Sequence, residues 1–394
     1  MSLQKKILIN GAGRGCFNLI KTANAMGLYT IVTGMDGPCI PLANKAYRDV
    51  HPGHPEEVLK VAKDEKVDAV VTCCNDMGLE SVGYCCDSLN LCGLSRKAAL
   101  ASSNKLLLKE LLVNNNVRTA RFCKIKNKDE LNEAATNLHF PLIVKATDLQ
   151  GSRGITIVRK EDDLDVAFNE AMSLTHKDYC IVEEFIEGTE FGAQAFVYKG
   201  DVLFVLPHGD DVFMGKTAVP IGHYMPYEIN EDLRKDVEKQ AIGAIKAVGL
   251  DNCAVNIDFI EKDNKAYIIE LTGRGGANGL TDITGRYFGI NYYEMIIQMA
   301  LGNDPREVFS KRLSFPRASK STMIKSNASG TVHKLTVPSL EDVEINMFIH
   351  EGDSIRSFTN CNDAIGEIFV QGENLEKCEI LVNDSLANIK VEME

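Results

Sequence analysis

Two acidic residues interrupt a stretch of sequence that otherwise alternates like a buried β-hairpin. Asp258 and Glu270 lie in apolar segments on either side of a polar Lys-Asp-Asn-Lys turn at 262–265, and this pattern predicts two antiparallel strands. Buried carboxylates are costly unless a cation meets them, and a hard divalent metal ion is one candidate. A solvated edge hairpin with ordinary surface charges is the alternative.

The length of the turn decides whether the two carboxylates meet. Asp258 and Glu270 have the same parity, so a loop with an odd number of residues, such as 263–265, would place them opposite each other. A two-residue loop at Asp263-Asn264 would pair Asp258 with Ile269 and turn Glu270 to the other face. A metal site therefore predicts an odd loop.

Two segments upstream have the composition of a nucleotide site. Phe140–Lys145 predicts a buried strand that ends in a lysine, and the glycine-rich stretch 150–154 follows it. The backbone N–H groups of such a loop can fold over phosphates, with Lys145 as a point charge. The segment 181–190 predicts an extended backbone that could pair with an adenine edge, with a carboxylate a few residues on for a ribose. An ordinary hairpin loop and surface glutamates are the alternatives.

The elements that position these residues begin with an α/β unit. Residues 1–90 alternate strands and helices, which predicts an open parallel sheet. The glycines at 11, 13 and 15 depart from G-x-G-x-x-G, and no acidic residue ends the second strand, so a tight strand-to-helix turn is favoured over a nicotinamide or flavin site. Further helices are predicted at 95–116, 128–138, 161–174, 230–249 and 291–301, and short strands within 315–394.

Composition excludes several classes of protein. The 394 residues suffice for two or three domains, and the net charge of −12 without a basic cluster argues against nucleic acid or an anionic membrane as partner. No apolar run is long enough to span a bilayer, and the N-terminus lacks a signal peptide pattern. The twelve cysteines include adjacent pairs and no C-x-x-C. We therefore expect a cytoplasmic enzyme with reduced thiols.

The order of these residues resembles the ATP-grasp superfamily. The ordered set is Lys105, Lys145 with its glycine loop, 183–190, and the hairpin through Arg274. The resemblance implies a pre-ATP-grasp α/β domain at 1–95 and a two-lobed α+β ATP-grasp region at 96–312, with a small lobe at about 118–188 inserted. A small β-rich C-terminal lobe at 313–394 would follow, as in the biotin carboxylase and carbamoyl phosphate synthetase group.

The resemblance also implies a role for each residue, with ATP and Mg²⁺ as cofactors and Mn²⁺ as an acceptable replacement. Phosphates would contact Lys105, Lys145 and the loop residues Gly151, Ser152 and Gly154. Adenine would be held by Glu183 and the backbone of Glu184 and Ile186, and the ribose by Glu190. The metal would be held by Asp258, Glu270 and Thr272. Lys145 and Arg274 would be catalytic, and Asp76, His208, His223, Arg274, Gly276 and Asn278 would face the substrates.

One position departs from the pattern. Many members read E-x-N-x-R at the end of the hairpin, whereas this chain reads Glu270-Leu-Thr-Gly-Arg274, so Thr272 stands where an asparagine would ligate a second metal. The following Gly275-Gly-Ala-Asn278 resembles the R-x-G-G-N pattern of ligases that join a carboxylate to an amine.

The resemblance therefore implies an ATP-dependent ligase that activates a small carboxylate as an acyl phosphate and joins it to an amine. An amino-acid ligase ranks first, a phosphoribosylamine–glycine ligase-like purine enzyme second, and a biotin carboxylase-like or carbamoyl phosphate synthetase-like enzyme third. A non-catalytic nucleotide-binding protein is the alternative from another class, and a dinucleotide-dependent oxidoreductase rests on the glycines at 11–15 alone. The partners would be small molecules, and a homodimer is compatible with the resemblance.

Overall fold

A parallel sheet forms the N-terminal part of the protein. The structure is a computed structural model and describes residues 4–149, 154–214 and 218–394. The strands lie in the order β3-β2-β1-β4, and Ile7, Leu8 and Ile9 of the inner strand β1 are fully buried, as expected where helices cover both faces. The predicted parallel sheet is confirmed. The elements are β1 (Lys6–Asn10), α1 (Phe17–Ala25), β2 (Tyr29–Thr33), β3 (Lys45–Tyr47), α2 (Pro55–Glu65), β4 (Ala69–Val71) and α3 (Leu79–Leu89).

Two short helices and a small antiparallel sheet follow. The helical stretch predicted at 95–116 is split at Asn104, whose side chain accepts from the N–H groups of Leu106 and Leu107 and so begins a new helix at Lys105. The small sheet has the order β5-β8-β6-β7. The elements are α4 (Arg96–Ser103), α5 (Lys105–Asn114), β5 (Phe122–Ile125), α6 (Lys128–Leu138), β6 (Leu142–Lys145), β7 (Ile155–Val158), α7 (Leu164–Leu174) and β8 (Cys180–Glu184).

A long antiparallel sheet organises the rest of the chain. Its order is β13-β12-β9-β10-β11-β14-β18-β16, and a smaller sheet has the order β17-β15-β19. The elements are β9 (Thr189–Tyr198), β10 (Asp201–Met214), β11 (Ala218–Met225), α8 (Glu231–Val248), β12 (Cys253–Lys262), β13 (Lys265–Thr272), α9 (Leu280–Phe288), α10 (Tyr292–Ala300), α11 (Arg306–Phe309), β14 (Ala318–Ile324), β15 (Gly330–Thr336), β16 (Val343–Met347), β17 (Ser354–Ile355), β18 (Gly366–Gly372), α12 (Leu375–Asn388) and β19 (Lys390–Met393). No helix in these described ranges is long and apolar enough to cross a bilayer.

The two faces of the long sheet differ. Odd-numbered side chains of β9 and β12 join the apolar cluster that includes α8. On the even-numbered face, Phe196 and Ala254 pack with Tyr292 of α10, and the next paired positions are Gln194 and Asn256. The apolar cover therefore ends two rows before the row of Asp258, and the polar face that follows is the floor of the candidate site.

Candidate active site

The two hairpin carboxylates face each other, but not for the predicted reason. The turn has two residues, Asp263 and Asn264, both with left-handed φ of 52° and 57°, as a tight hairpin requires. Phe259 pairs with Ile268, yet Asp258 pairs with Glu270. Ile269 lies between Ile268 and Glu270 and has no partner on β12, so it is the extra residue of a β-bulge. The prediction of an odd loop was wrong, because the bulge and not the turn restores the register.

The pair has the electrostatics of a cation site. Burial, then Glu270, then Asp210 raise the pKa of Asp258 to about 7, against the weaker effects of Arg274 and of an Asn256 hydrogen bond. Lys105 Nζ lies 3.4 Å from Glu270 Oε1 and donates to the carbonyl of Leu149 at 2.8 Å. Two crowded hard-oxygen donors fit Mg²⁺ or Mn²⁺.

Thr272 lies on the same sheet face as Asp258 and Glu270, beside Asn256, an amide that was not predicted from the sequence. It pairs with Asn256, which accepts from Gln194 at 2.5 Å and donates to Asp258 Oδ1 at 3.1 Å. The Thr272 hydroxyl is buried and has no hydrogen-bond partner in the described part of the chain. Its role as a ligand stays a prediction. Asn256 could have been found, since it shares the parity of Asp258 two residues before it.

Lys145 belongs to a buried charge cluster that also contains a lysine not predicted from the sequence. Glu183 Oε2 lies 3.0 Å from Lys145 Nζ and 3.1 Å from Lys109 Nζ. Burial would raise the pKa of Glu183, but the two lysines outweigh burial and lower it. Burial lowers the pKa of Lys109 more than Glu183 raises it. Lys109 follows Lys105 by four residues on the same helical face, which was an available signal.

The predicted phosphate loop is described only at its flanks. Gly151 and Ser152 lie outside the described residues. Gly154 has a φ of +66°, a conformation that favours glycine, and its carbonyl accepts from the N–H of Ala146 at 2.8 Å. This hydrogen bond closes the base of the loop beside Lys145.

The predicted adenine residues lie where the small sheet meets β9. The N–H of Glu184 donates to the carbonyl of Arg121 at 2.9 Å, so Glu184 could offer a base only its carbonyl. Ile186 is buried just beyond β8, whereas Glu190 is exposed and shares a face of β9 with Gly192. The carboxylate of Glu183 is held by the lysines, and its Oε1 has no partner among the described residues. The adenine and ribose roles stay predictions.

Asp76 and Arg274 form a partly buried bidentate ion pair. Arg274 Nε and Nη2 lie 2.6 and 2.8 Å from the two carboxylate oxygens of Asp76, and Nη1 donates to the carbonyl of Gly275 at 3.1 Å. Burial would lower the pKa of Arg274, but Asp76 outweighs it and the pKa is raised. The structure thus brings together two predicted substrate residues from distant parts of the chain.

The other predicted substrate residues surround the segment after Arg274. The N–H of Gly276 donates to Gln194 Oε1 at 3.0 Å. The carbonyl of Asn278 accepts from Ser321 Oγ at 3.2 Å, and Ser321 Oγ accepts from the N–H of His223 at 3.2 Å. His208 and His223 are both buried. The structure therefore gathers these residues on one side of the carboxylate pair.

A cavity of about 400 Å³ adjoins Asp76 at the carboxyl ends of the N-terminal strands. The cavity is lined by the glycine-rich turn 11–15, which includes Arg14, and by the turn 73–75. A Cβ on Gly15 would lie 2.3 Å from Cys74 Cβ, so this glycine is required by close packing. The cavity is a second place where a polar substrate could be held.

Comparisons with known proteins agree with this geometry. A model of the ATP-grasp domain matches residues 138–282. The crystal structure of a phosphoribosylglycinamide synthetase from Anaerococcus prevotii is 44% identical, covers 99% of this chain and 100% of that chain, and superposes with a TM-score of 0.89. Alanine–anticapsin ligase from Bacillus subtilis is 23% identical over 62% of this chain and 56% of its own. D-Alanine–D-alanine ligase from Pediococcus pentosaceus is 28% identical over 53% of this chain and 60% of its own.

The chain therefore belongs to the ATP-grasp family. It spans 56% and 60% of the lengths of the two curated relatives above.

Proposed function

We propose that the protein is an ATP-dependent ligase that activates an amino acid at its carboxylate as an acyl phosphate and joins it to an amine. The observation that carries the proposal is the pairing of Asp258 with Glu270, with Lys105 Nζ 3.4 Å from Glu270. Phosphoryl transfer needs positioning and charge neutralisation more than covalent help from the protein.

Each group has a part in this chemistry. Bound at Asp258 and Glu270, Mg²⁺ would neutralise charge on the phosphates. Lys105 and Lys145 bind phosphate oxygens, and Lys145 is held in place by Glu183. Arg274, oriented by Asp76, presents its remaining N–H groups to the substrate carboxylate or to the acyl phosphate formed from it.

The amine distinguishes two candidates. An amino acid as the amine is supported by the two curated relatives, whose names specify alanine. A phosphoribosylamine is supported by the similarity to the Anaerococcus prevotii protein, and by the cavity at the glycine-rich turn, where Arg14 could meet a phosphate group. The amino acid is our first candidate, because Gly275-Gly-Ala-Asn278 follows Arg274.

An ATPase assay with a substrate panel tests the proposal. The protein is mixed with ATP, Mg²⁺ and the twenty amino acids and D-alanine, singly and in pairs, and phosphate release is followed. A parallel arm supplies glycine with phosphoribosylamine made in place from ribose 5-phosphate and ammonia, and mass spectrometry identifies the products. Tight ATP binding without substrate-stimulated phosphate in either arm would identify a non-catalytic nucleotide-binding protein instead.

A further inference from the structure

Two buried histidines share one carboxylate beside the site, and the roles assigned above make no use of their chemistry. Asp210 Oδ1 lies 3.0 Å from His208 Nδ1 and 2.5 Å from His223 Nδ1. Burial would raise the pKa of Asp210, but the two imidazoles outweigh burial and keep it ionised. An ionised carboxylate only accepts, so each ring donates its Nδ1–H, and a neutral imidazole with this tautomer has its lone pair at Nε2.

The imidazole of His208 lies over the neighbouring strand β9, on the sheet face that carries Asp258. His208 pairs with Gly192, and Gly192 pairs with Asp258, so all three positions share one face. A Cβ on Gly192 would lie 2.3 Å from Nε2 and Cε1 of His208. The imidazole edge therefore occupies the space over Gly192 that a side chain would fill, on the side of Asp258.

Both histidines have a second ring nitrogen that makes no hydrogen bond to the described residues. Nε2 of His208 and Nε2 of His223 are buried without a partner within residues 4–149, 154–214 and 218–394. A buried acceptor without a donor is costly, and such an atom in a native structure points to a ligand or a catalytic role. The N–H of a bound substrate would supply the missing donor.

Burial keeps the lone pair of His208 available against the effect of its anionic neighbour Asp210, and the groups that face the ring come from three strands. They are Asp210 on the same strand, His223 on β11 and, beyond Gly192, Asp258 on β12. Lys320 Nζ on β14 lies 2.8 Å from Asp211 Oδ2 and 2.5 Å from Glu379 Oε2, so its charge is paired with these two carboxylates. Burial lowers the pKa of His208 more than Asp210 raises it, so the ring is neutral at pH 7.

We propose that His208, oriented by Asp210, is the general base that deprotonates the acceptor amine, a protonated primary amine such as that of an α-amino acid. The inference rests on the proposed function, in which an amine attacks an acyl phosphate. An ammonium group has no lone pair, so Nε2 of His208 first takes one of its protons. The nitrogen then forms the C–N bond, the bond from carbon to the phosphate oxygen breaks, and the departing phosphate takes the second proton. His208 returns its proton to solvent, and His223 Nε2 accepts a further N–H that orients the amine.

Comparing two nucleophiles tests this role. Hydroxylamine is unprotonated at neutral pH and needs no base, so it traps the acyl phosphate as a hydroxamate. His208→Gln should lower amide formation with the best amino acid of the panel by about 100-fold or more, the usual worth of general base catalysis, and should retain hydroxamate formation. In the wild type, amide formation should fall at acidic pH as the ring is protonated, and hydroxamate formation should lack that acidic limb when rates are compared at equal concentrations of unprotonated hydroxylamine. His333→Gln, an exposed histidine, is the matched control.

The outcomes separate the inference from the function on which it rests. Retained hydroxamate formation shows that the variant is folded and makes the acyl phosphate. Equal loss of both reactions, or undiminished amide formation, would overturn the base role while leaving the ligase intact. Absence of hydroxamate from the wild type with every amino acid of the panel would overturn the proposed function, and the base role with it. His223→Gln should raise the KM for the amine by a larger factor than it lowers kcat.

Discussion

At the scale of single residues, Glu183 is the point on which two buried cations depend. Its Oε2 is the shared partner of Lys109 and Lys145, and all three side chains are almost fully buried. Removing the carboxylate would leave two ammonium groups in a poorly solvated place, which is more costly than removing either lysine. Glu183 therefore has a structural role that a purely adenine-binding residue would lack.

We expect Glu183→Gln to destabilise the protein by about 3–5 kcal/mol, the cost of breaking a buried ion pair. Because the folded state lowers the pKa of Glu183, its contribution is complete above the unfolded carboxyl pKa of about 4.3 and is lost as pH falls below it. Urea unfolding at several pH values measures both effects. Exposed Glu187→Gln is the control, and a wild-type-to-variant difference that stayed constant down to acidic pH would contradict this account.

Glu270→Gln should abolish substrate-stimulated phosphate release without unfolding the protein. Since outer-shell partners of a metal are worth about 10- to 100-fold, loss of a direct donor should cost about 100-fold or more. Stability should be equal or slightly higher, because repulsion with Asp258 is relieved. Phosphate release and thermal unfolding are compared with those of exposed Glu373→Gln. Near-normal turnover of Glu270→Gln would show that Glu270 is not a metal ligand.

At the scale of elements, the hairpin shows what a sequence pattern can and cannot predict. Alternation predicted both strands, whereas shared parity predicted the pairing of Asp258 with Glu270 only for a loop with an odd number of residues, which this turn does not have. The bulge at Ile269 was not predictable, because it depends on how the buried sides of β12 and β13 pack against neighbouring elements. Asp210 was missed for a similar reason: its importance arises from the pairing of β10 with β11, which a single sequence does not specify.

Gly192→Ala should impair the transfer to the amine more than ATP binding. The new Cβ would lie 2.3 Å from the His208 ring and displace it, and overpacking of this kind costs about 1–3 kcal/mol of stability. Amide and hydroxamate formation, with urea unfolding, measure the effects. In Gly243→Ala of α8 the Cβ meets Val117 Cγ2 at 3.0 Å, away from the site, and this control should keep amide formation. An unaltered amide-to-hydroxamate ratio in Gly192→Ala would contradict the placement of His208.

At the scale of the whole molecule, the ion pair of Asp76 and Arg274 joins the N-terminal α/β part to the end of the hairpin, across 198 positions of sequence. The N-terminal part thereby contributes directly to the site. The alternation of strands and helices predicted that part well. By contrast, β14, β18 and β16 continue the long central sheet past the domain boundary predicted at 313, and sheet continuity depends on distant pairing that composition does not reveal.

A double-mutant cycle measures this connection. Asp76→Asn and Arg274→Met should each cost about 1–3 kcal/mol of stability, because each leaves a partly buried hydrogen-bonding group without its partner. The double variant should cost less than the sum, with a coupling energy of about 0.5–3 kcal/mol. Arg274→Lys should not restore activity, since an ammonium cannot bind Asp76 bidentately. Strict additivity in the cycle would show that the pair does not connect the two parts.

The proposed ligase chemistry depends most on the cation site at the paired carboxylates. The most direct measurement is a crystal structure of the protein soaked with Mn²⁺ and a non-hydrolysable ATP analogue, with anomalous scattering used to locate the metal. We expect an anomalous peak between the carboxylate oxygens of Asp258 and Glu270, with phosphates between that peak and Lys105 and Lys145. A nucleotide bound with no anomalous peak at these carboxylates, or with the peak at His208 and His223 instead, would contradict this expectation.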